Sequence, residues 1–241
     1  MKLIRTENYT EMSLEAGKII VDKIRTNPSL TLGLATGSSP KGVYEYLIQD
    51  HEANGTTYKE VKSVNLDEYI GLPAKDPNSY HYFMNQALFN HIDISENHTH
   101  IPNGAARDLE HECNRYEQLI KELGGIDLQI LGIGQNGHIG FNEPGTPFTS
   151  TTHIVALAQD TREANSRFFN SLDEVPTHAI TMGIASILES KEILLLVSGE
   201  SKAEALYKFV NGEISENFPA SALKTHQNVT VIADRDALKY F

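Results

Sequence analysis

Short apolar runs rich in Val, Ile and Leu recur along this 241-residue chain, with amphipathic stretches between them. The runs are Leu30–Thr36, Val61–Leu66, Asp127–Ile133, His153–Ala158, Ala179–Met182, Glu192–Val197 and Val229–Ala233. Several are nearly continuous rather than alternating, the pattern of strands covered on both faces in a parallel sheet. Between them, Met12, Ala16, Ile19, Ile20 and Ile24 share one helical face, and Val43, Tyr46, Leu47 and Ile48 make a second stripe. Arg107–Leu123 and Ser201–Val210 also read as helices. The alternation predicts an α/β fold, a single Rossmann-like doubly wound and mostly parallel sheet with helices on both faces and right-handed crossovers. No repeat, low-complexity tract or long linker interrupts it. Residues 1–241 therefore read as one domain, with the Pro/Gly/Asn-rich pieces at 71–79, 101–105 and 142–150 as loops inside it.

The charge balance narrows the ligands. Lys+Arg number 20 against 32 Asp+Glu, a net charge of -12. That average field repels nucleic acid and anionic membranes, so neither is an expected partner. An anionic small molecule must instead be caught by local N–H groups and a few placed cations. The single Cys113 cannot form an internal disulfide, the first eight residues lack the apolar stretch of a signal peptide, and no apolar run approaches the ~20 residues of a membrane span. The expectation is a soluble, cytoplasmic protein.

In parallel α/β sheets ligands gather beyond the carboxyl ends of the strands, and three such ends carry polar chemistry. After Leu34-Ala35-Thr36 comes Gly37-Ser38-Ser39-Pro40, with Gly37 for a tight turn, Ser39 as a helix cap and Pro40 at the first helical position. Free N–H groups there can bind phosphate, and an ordinary capped turn fits equally well. The Lys-Ser/Thr pair of a nucleotide-binding P-loop is absent. Asp67 follows the run Val61–Leu66, where a carboxylate can move a proton on carbon or simply cap the next turn, the commoner role. The third end, Gly132-Ile133-Gly134-Gln135-Asn136-Gly137-His138, matches the dinucleotide pattern G-x-G-x-x-G, but Gly140, Pro144, Gly145 and Pro147 forbid the long helix that pattern needs. What remains is a glycine-rich loop offering His138 and Glu143, a combination suited to acid–base work.

The segments Leu34–Pro40, Asn65–Gly71, Gly132–Pro144 and Asp160–Phe169 resemble the glucosamine-6-phosphate deaminase family in order and spacing, and the similarity runs from about Leu3 to the C-terminus. The block Gly137-His138-Ile139-Gly140-Phe141-Asn142-Glu143-Pro144 is specific, since the related 6-phosphogluconolactonases share a glycine–His loop without the Phe-Asn-Glu-Pro continuation. The resemblance implies a cofactor-free conversion of glucosamine 6-phosphate and water to fructose 6-phosphate and ammonia. By the same resemblance Asp67 is the base that carries a proton from C2 to C1, His138 assists opening of the pyranose ring, and Glu143 orients that His. Gly37, Ser38, Ser39, Arg167 and Lys202 correspond to the family's phosphate-binding positions. The segment Asp76–His81 and the helix after it resemble a mobile lid, placing the lid around 71–100.

Two departures from the family pattern matter. Many members carry Asp where this chain has Asn136, so ring opening is expected to lean on His138 and Glu143 with Asn136 as an orienting group. Allosteric members place basic residues where His153, Val155 and Ala156 stand here, and have a tail longer than one ending at Phe241. The expectation is a monomer or small homo-oligomer without the N-acetylglucosamine 6-phosphate activation site. His98-Thr99-His100, with His81 and His91, lacks the Cys or carboxylate spacing of a metal centre, and no metal is expected.

Overall fold

The structure is a computed structural model and describes residues 1–159, 162, 163, 166, 169 and 171–241. In chain order the elements are β1 (Lys2–Thr6), α1 (Tyr9–Thr26), β2 (Thr31–Leu34), α2 (Lys41–Asn54), β3 (Lys62–Asn65), β4 (Asp67–Tyr69), α3 (Tyr80–Ala87), β5 (Thr99–His100) and α4 (Leu109–Glu122). Then follow β6 (Leu128–Gly132), β7 (His153–Ala156), β8 (His178–Thr181), a short helix Ile184–Leu188, β9 (Ile193–Val197), a helix Ala203–Asn211 and β10 (Val229–Asp234). Side-chain caps start α1 and α4: Asn8 accepts the Glu11 N–H at 3.0 Å, and Asp108 accepts the His111 N–H at 2.9 Å.

Seven strands form one parallel sheet in the order β1-β10-β9-β6-β2-β3-β5. The apolar runs are continuous because both faces are covered. On β9, Leu194 and Leu196 join a core with α1 and α2, while Ile193, Leu195 and Val197 join another with α4 and the helix Ala203–Asn211. Burying each such side chain contributes about 1.5–3 kcal/mol. The chain steps outward from β2 to β3 and β5, then returns to β6 on the other side of β2 and proceeds to β9 and β10. The direction of winding reverses between β2 and β6, so the loops leaving these two strands part and open a crevice.

Two of the expected strands lie elsewhere. His153–Ala156 and His178–Thr181 pair antiparallel with Asp67–Tyr69 in a separate three-stranded sheet, ordered β4-β8-β7. β7 is only half-buried along its length, which suits an antiparallel ribbon rather than the centre of a parallel sheet. The run Val61–Leu66 crosses from one sheet to the other. The Leu66 N–H donates to the Leu34 carbonyl at 3.1 Å as the last rung of the large sheet, and its carbonyl accepts the Met182 N–H at 2.7 Å beside the small one. Asp67 thus opens a strand of its own rather than ending one. β1, an edge strand beside β10, was not anticipated. Among the described residues no helix is long and apolar enough to cross a membrane.

Candidate active site

A cleft of ≈ 400 Å³ opens at the point where the winding reverses, between the loop after β2 and the loop after β6. From the first loop it is lined by Gly37, Ser38 and Ser39. Gly37 takes φ +90, a left-handed conformation that only glycine adopts without strain. Among the described residues, the N–H groups of Gly37, Ser38 and Ser39 have no hydrogen-bond acceptor. A run of free N–H groups ahead of a helix is a cradle for an anion. The expected capping role of Ser39 is not what the structure has. α2 begins at Lys41 behind Pro40, with no side-chain cap, and Ser39 lines the cleft instead.

Lys202 enters the cleft from a 3₁₀ turn, Glu200–Lys202, that follows β9. Burial lowers its pKa, and no carboxylate pairs with it among the described residues. A desolvated ammonium in this position favours an anionic ligand. The turn is held from behind by Asp234 at the end of β10, a residue that sequence reasoning missed. Its buried carboxylate accepts the Gly199 N–H at 3.0 Å, the Ala237 N–H at 2.9 Å and the Ser198 hydroxyl. Arg167, the other expected phosphate cation, lies outside the described residues.

Asp67 lines the same cleft and is only 6% exposed. Among the described residues nothing hydrogen-bonds its carboxyl group. Burial, with a smaller contribution from the neighbouring Glu68 carboxylate, pushes its pKa from 3.8 up to about 8. Glu68 points the other way and is fully engaged. Its oxygens accept the N–H groups of Tyr69 (2.8 Å), Tyr80 (2.9 Å) and His81 (3.0 Å), and contact the His81 Nδ1 at 2.9 Å. A carboxylate against the first N–H groups of α3 is stabilised by the helix dipole. It also fixes Tyr80, whose ring stacks on Phe141 at 6.1 Å and 10°, and both rings line the cleft. Neither Glu68 nor Tyr80 was singled out in advance, although the sequence places Glu68 directly beside Asp67.

The loop after β6 contains no helix, as its glycines and prolines require. Gly134 is needed there because a Cβ would stand 2.2 Å from the His138 ring. The imidazole Nδ1 lies 2.7 Å from the Asn136 Oδ1, and the Asn136 Nδ2 donates to the Glu143 Oε2 at 2.7 Å. The His138 backbone N–H also donates to that Asn136 oxygen, at 3.1 Å, which fixes the orientation of the amide. An amide oxygen can only accept, so Nδ1 carries the proton and Nε2 keeps its lone pair. Glu143 stands 3.7 Å from the ring, near enough for its charge to act on the imidazole, and its hydrogen bond is to Asn136. Burial lowers the His138 pKa, the Glu143 charge opposes it, and Lys202 adds a smaller lowering. The ring is thereby kept neutral. Asn136 and His138 line the cleft while Glu143 stands behind them. Among the described residues, no group of three or more His, Cys, Asp or Glu side chains is placed to hold a metal ion.

Residues 6–232 match the family model described as glucosamine-6-phosphate isomerases/6-phosphogluconolactonase. Glucosamine-6-phosphate deaminase of Halalkalibacterium halodurans is 58% identical over 239 residues, covering 99% of this chain and 97% of that protein. Glucosamine-6-phosphate deaminase 1 of Bacillus subtilis is 55% identical over 237 residues, covering 98% of each. A solved structure described as a monomeric glucosamine-6-phosphate deaminase superposes with a TM-score of 0.98 at 54% identity over 100% of both chains. The 6-phosphogluconolactonase of Trypanosoma cruzi shares the fold, with a TM-score of 0.80 at 20% identity, over 99% of this chain and 96% of that one.

Proposed function

The chain belongs to the family of glucosamine-6-phosphate isomerases and 6-phosphogluconolactonases, and from that membership and the cleft we infer an enzyme that converts glucosamine 6-phosphate and water to fructose 6-phosphate and ammonia. The observation that carries the assignment of roles is one cleft holding an unpaired Asp67 carboxyl, the free Nε2 of His138, and the anion cradle of Gly37–Ser39 with Lys202. The cradle and Lys202 hold the phosphoryl group, assisted by Arg167 where the family resemblance places it. His138 Nε2 takes the proton of the anomeric hydroxyl as the ring C–O bond breaks, and a proton passes to the ring oxygen. The open-chain aldehyde then acidifies the hydrogen on C2. Asp67 removes it, giving an enolamine, and returns it to C1, giving the imine of fructose 6-phosphate. Water adds to that imine and ammonia leaves, which balances the equation.

Burial suits Asp67 to this task. A carboxylate of raised pKa is a stronger base toward a carbon acid than an ordinary one. Segment 71–100 serves as the lid in this reading, pivoting on the Glu68 anchor and excluding water from the enolamine. The chain acts in the cytoplasm as a monomer or small homo-oligomer without allosteric activation. Supporting this are the monomeric description of the 54%-identical structure and the absence of Lys or Arg at 153, 155 and 156 on β7.

The first test is direct. Purified protein is expected to release ammonia from glucosamine 6-phosphate and not from unphosphorylated glucosamine at the same concentration. It should leave 6-phosphogluconolactone at its spontaneous rate of hydrolysis. Lactone hydrolysis without ammonia release would overturn the assignment. A second expectation concerns pH. Asp67 must be ionised to act and titrates at about 8 in the free protein, so kcat/KM should rise about tenfold per unit below that pH and level off above it. A profile flat from pH 6 to 9 would show that no group of this pKa is required.

A further inference from the structure

The phosphate turn is braced from outside the cleft by a residue of the first helix. The Tyr9 hydroxyl donates to the Ser38 carbonyl at 2.8 Å and accepts the Gly42 N–H at 2.7 Å. We propose that Tyr9 is a positioning residue for phosphate binding, its hydroxyl clamping the Gly37–Ser39 turn to the first turn of α2 so that the free N–H groups face the substrate. The inference rests on the reading of that turn as the phosphate cradle.

The geometry supplies the reason. A trans peptide holds its C=O and N–H on opposite sides, so drawing the Ser38 carbonyl toward Tyr9 turns the Ser39 N–H away from Tyr9. Ser38 and Ser39 line the cleft, whereas Tyr9 does not. The second bond answers another need. Pro40, at the cap position of α2, has no side-chain oxygen to take the exposed N–H groups of the first helical turn. Tyr9 provides that acceptor from a neighbouring helix. With α2 capped in this way, Ser39 is released from the capping role its position suggested, and its hydroxyl is available to the ligand. Tyr9 touches neither the phosphate nor the reacting carbons, so its effect must appear in affinity rather than in chemistry.

Tyr9→Phe removes the hydroxyl and keeps the ring. The KM for glucosamine 6-phosphate is expected to rise roughly tenfold, the scale of two neutral hydrogen bonds acting on one loop. The inhibition constant of inorganic phosphate should rise by the same factor, while kcat stays within twofold and the pH profile keeps its shape. Ser13→Ala is the control. Ser13 stands one helical turn further along α1, and its buried hydroxyl has no partner among the described residues, so KM should not change. The inference is overturned if KM and the phosphate inhibition constant of Tyr9→Phe stay within twofold of the parent, if kcat falls while KM holds, or if Ser13→Ala reproduces the effect. Failure of the parent protein to release ammonia or to be inhibited by phosphate would overturn the reading of the cradle, and this inference with it.

Discussion

Asp67→Asn is expected to abolish most of the deaminase activity and to make the protein more stable at neutral pH. The amide cannot take the C2 proton, so kcat should fall about 10²–10⁴-fold and exchange of that hydrogen with solvent should vanish. Binding of substrate, which we assign to the turn at Gly37–Ser39 and to Lys202, should change little. The stability effect follows from the same raised pKa. In the unfolded chain the carboxyl ionises near 3.8, and in the folded protein near 8. Between these values the folded state retains a proton that the unfolded state has released, so parent stability falls with rising pH by up to about 1.4 kcal/mol per unit. Below pH 3.8 this contribution to the pH dependence is absent, and above about 8 it no longer changes. Asn has no such dependence. The stability gap between variant and parent should therefore widen from pH 4 to pH 8, reaching an upper limit of roughly 4 kcal/mol by pH 7. Melting temperatures measured across that range test it. A constant gap would mean that the carboxyl is not held neutral by the fold, and would remove the argument for its strength as a base.

How far the chain could be read in advance depends on the distance over which each contact acts. The five inner strands β10, β9, β6, β2 and β3 of the large sheet were legible, unlike its edges β1 and β5, because coverage on both faces leaves runs such as Ile193–Val197 wholly apolar. The same logic fails for β7 and β8. Each is four residues long, and a short apolar run does not reveal whether its neighbour lies parallel or antiparallel, nor in which sheet. Leu66 shows the difficulty most sharply, since one residue serves both sheets and nothing local marks the change. Of the residues proposed for catalysis, Asn136, His138 and Glu143 could be grouped in advance because they occupy one loop within eight residues, and their bonds are local. The supports were not. Tyr9 reaches a carbonyl 29 residues away, Asp234 an N–H 35 residues away, and Glu68 an N–H 12 residues away. Such bonds carry no periodicity, and only the folded chain reveals them. Ser39 went the other way: its spacing suggested a cap, but a tyrosine from another helix already fills that role.

Asn136, where the family resemblance implies Asp, leads to the remaining large effect. His138→Gln removes the only imidazole lining the cleft among the described residues, and kcat/KM should fall about 10²-fold or more because no group of suitable pKa then exchanges the anomeric proton. Asn136→Asp keeps the imidazole but changes its charge environment. The new carboxylate would face Nδ1, now 2.7 Å from an amide oxygen, and would favour the imidazolium. It would also face the Glu143 Oε2, which the amide nitrogen now contacts at 2.7 Å, so the two carboxyl groups should share a proton rather than both ionise. The parent profile is expected to contain two ionisations on its acid side. Asp67 must lose its proton near pH 8, and below the lower pKa of the neutral imidazole the slope should steepen from tenfold to a hundredfold per unit. In Asn136→Asp that second break should move to higher pH by about one unit, while activity above pH 8.5 stays within about tenfold of the parent. If the break does not move, the imidazole is not the group that titrates there. If His138→Gln retains kcat/KM within threefold, the ring is opened without it. The amide at 136 thus has a definite physical consequence: it fixes the tautomer of His138 through one oxygen without adding the charge that would protonate the ring, leaving Nε2 free to accept a proton at neutral pH.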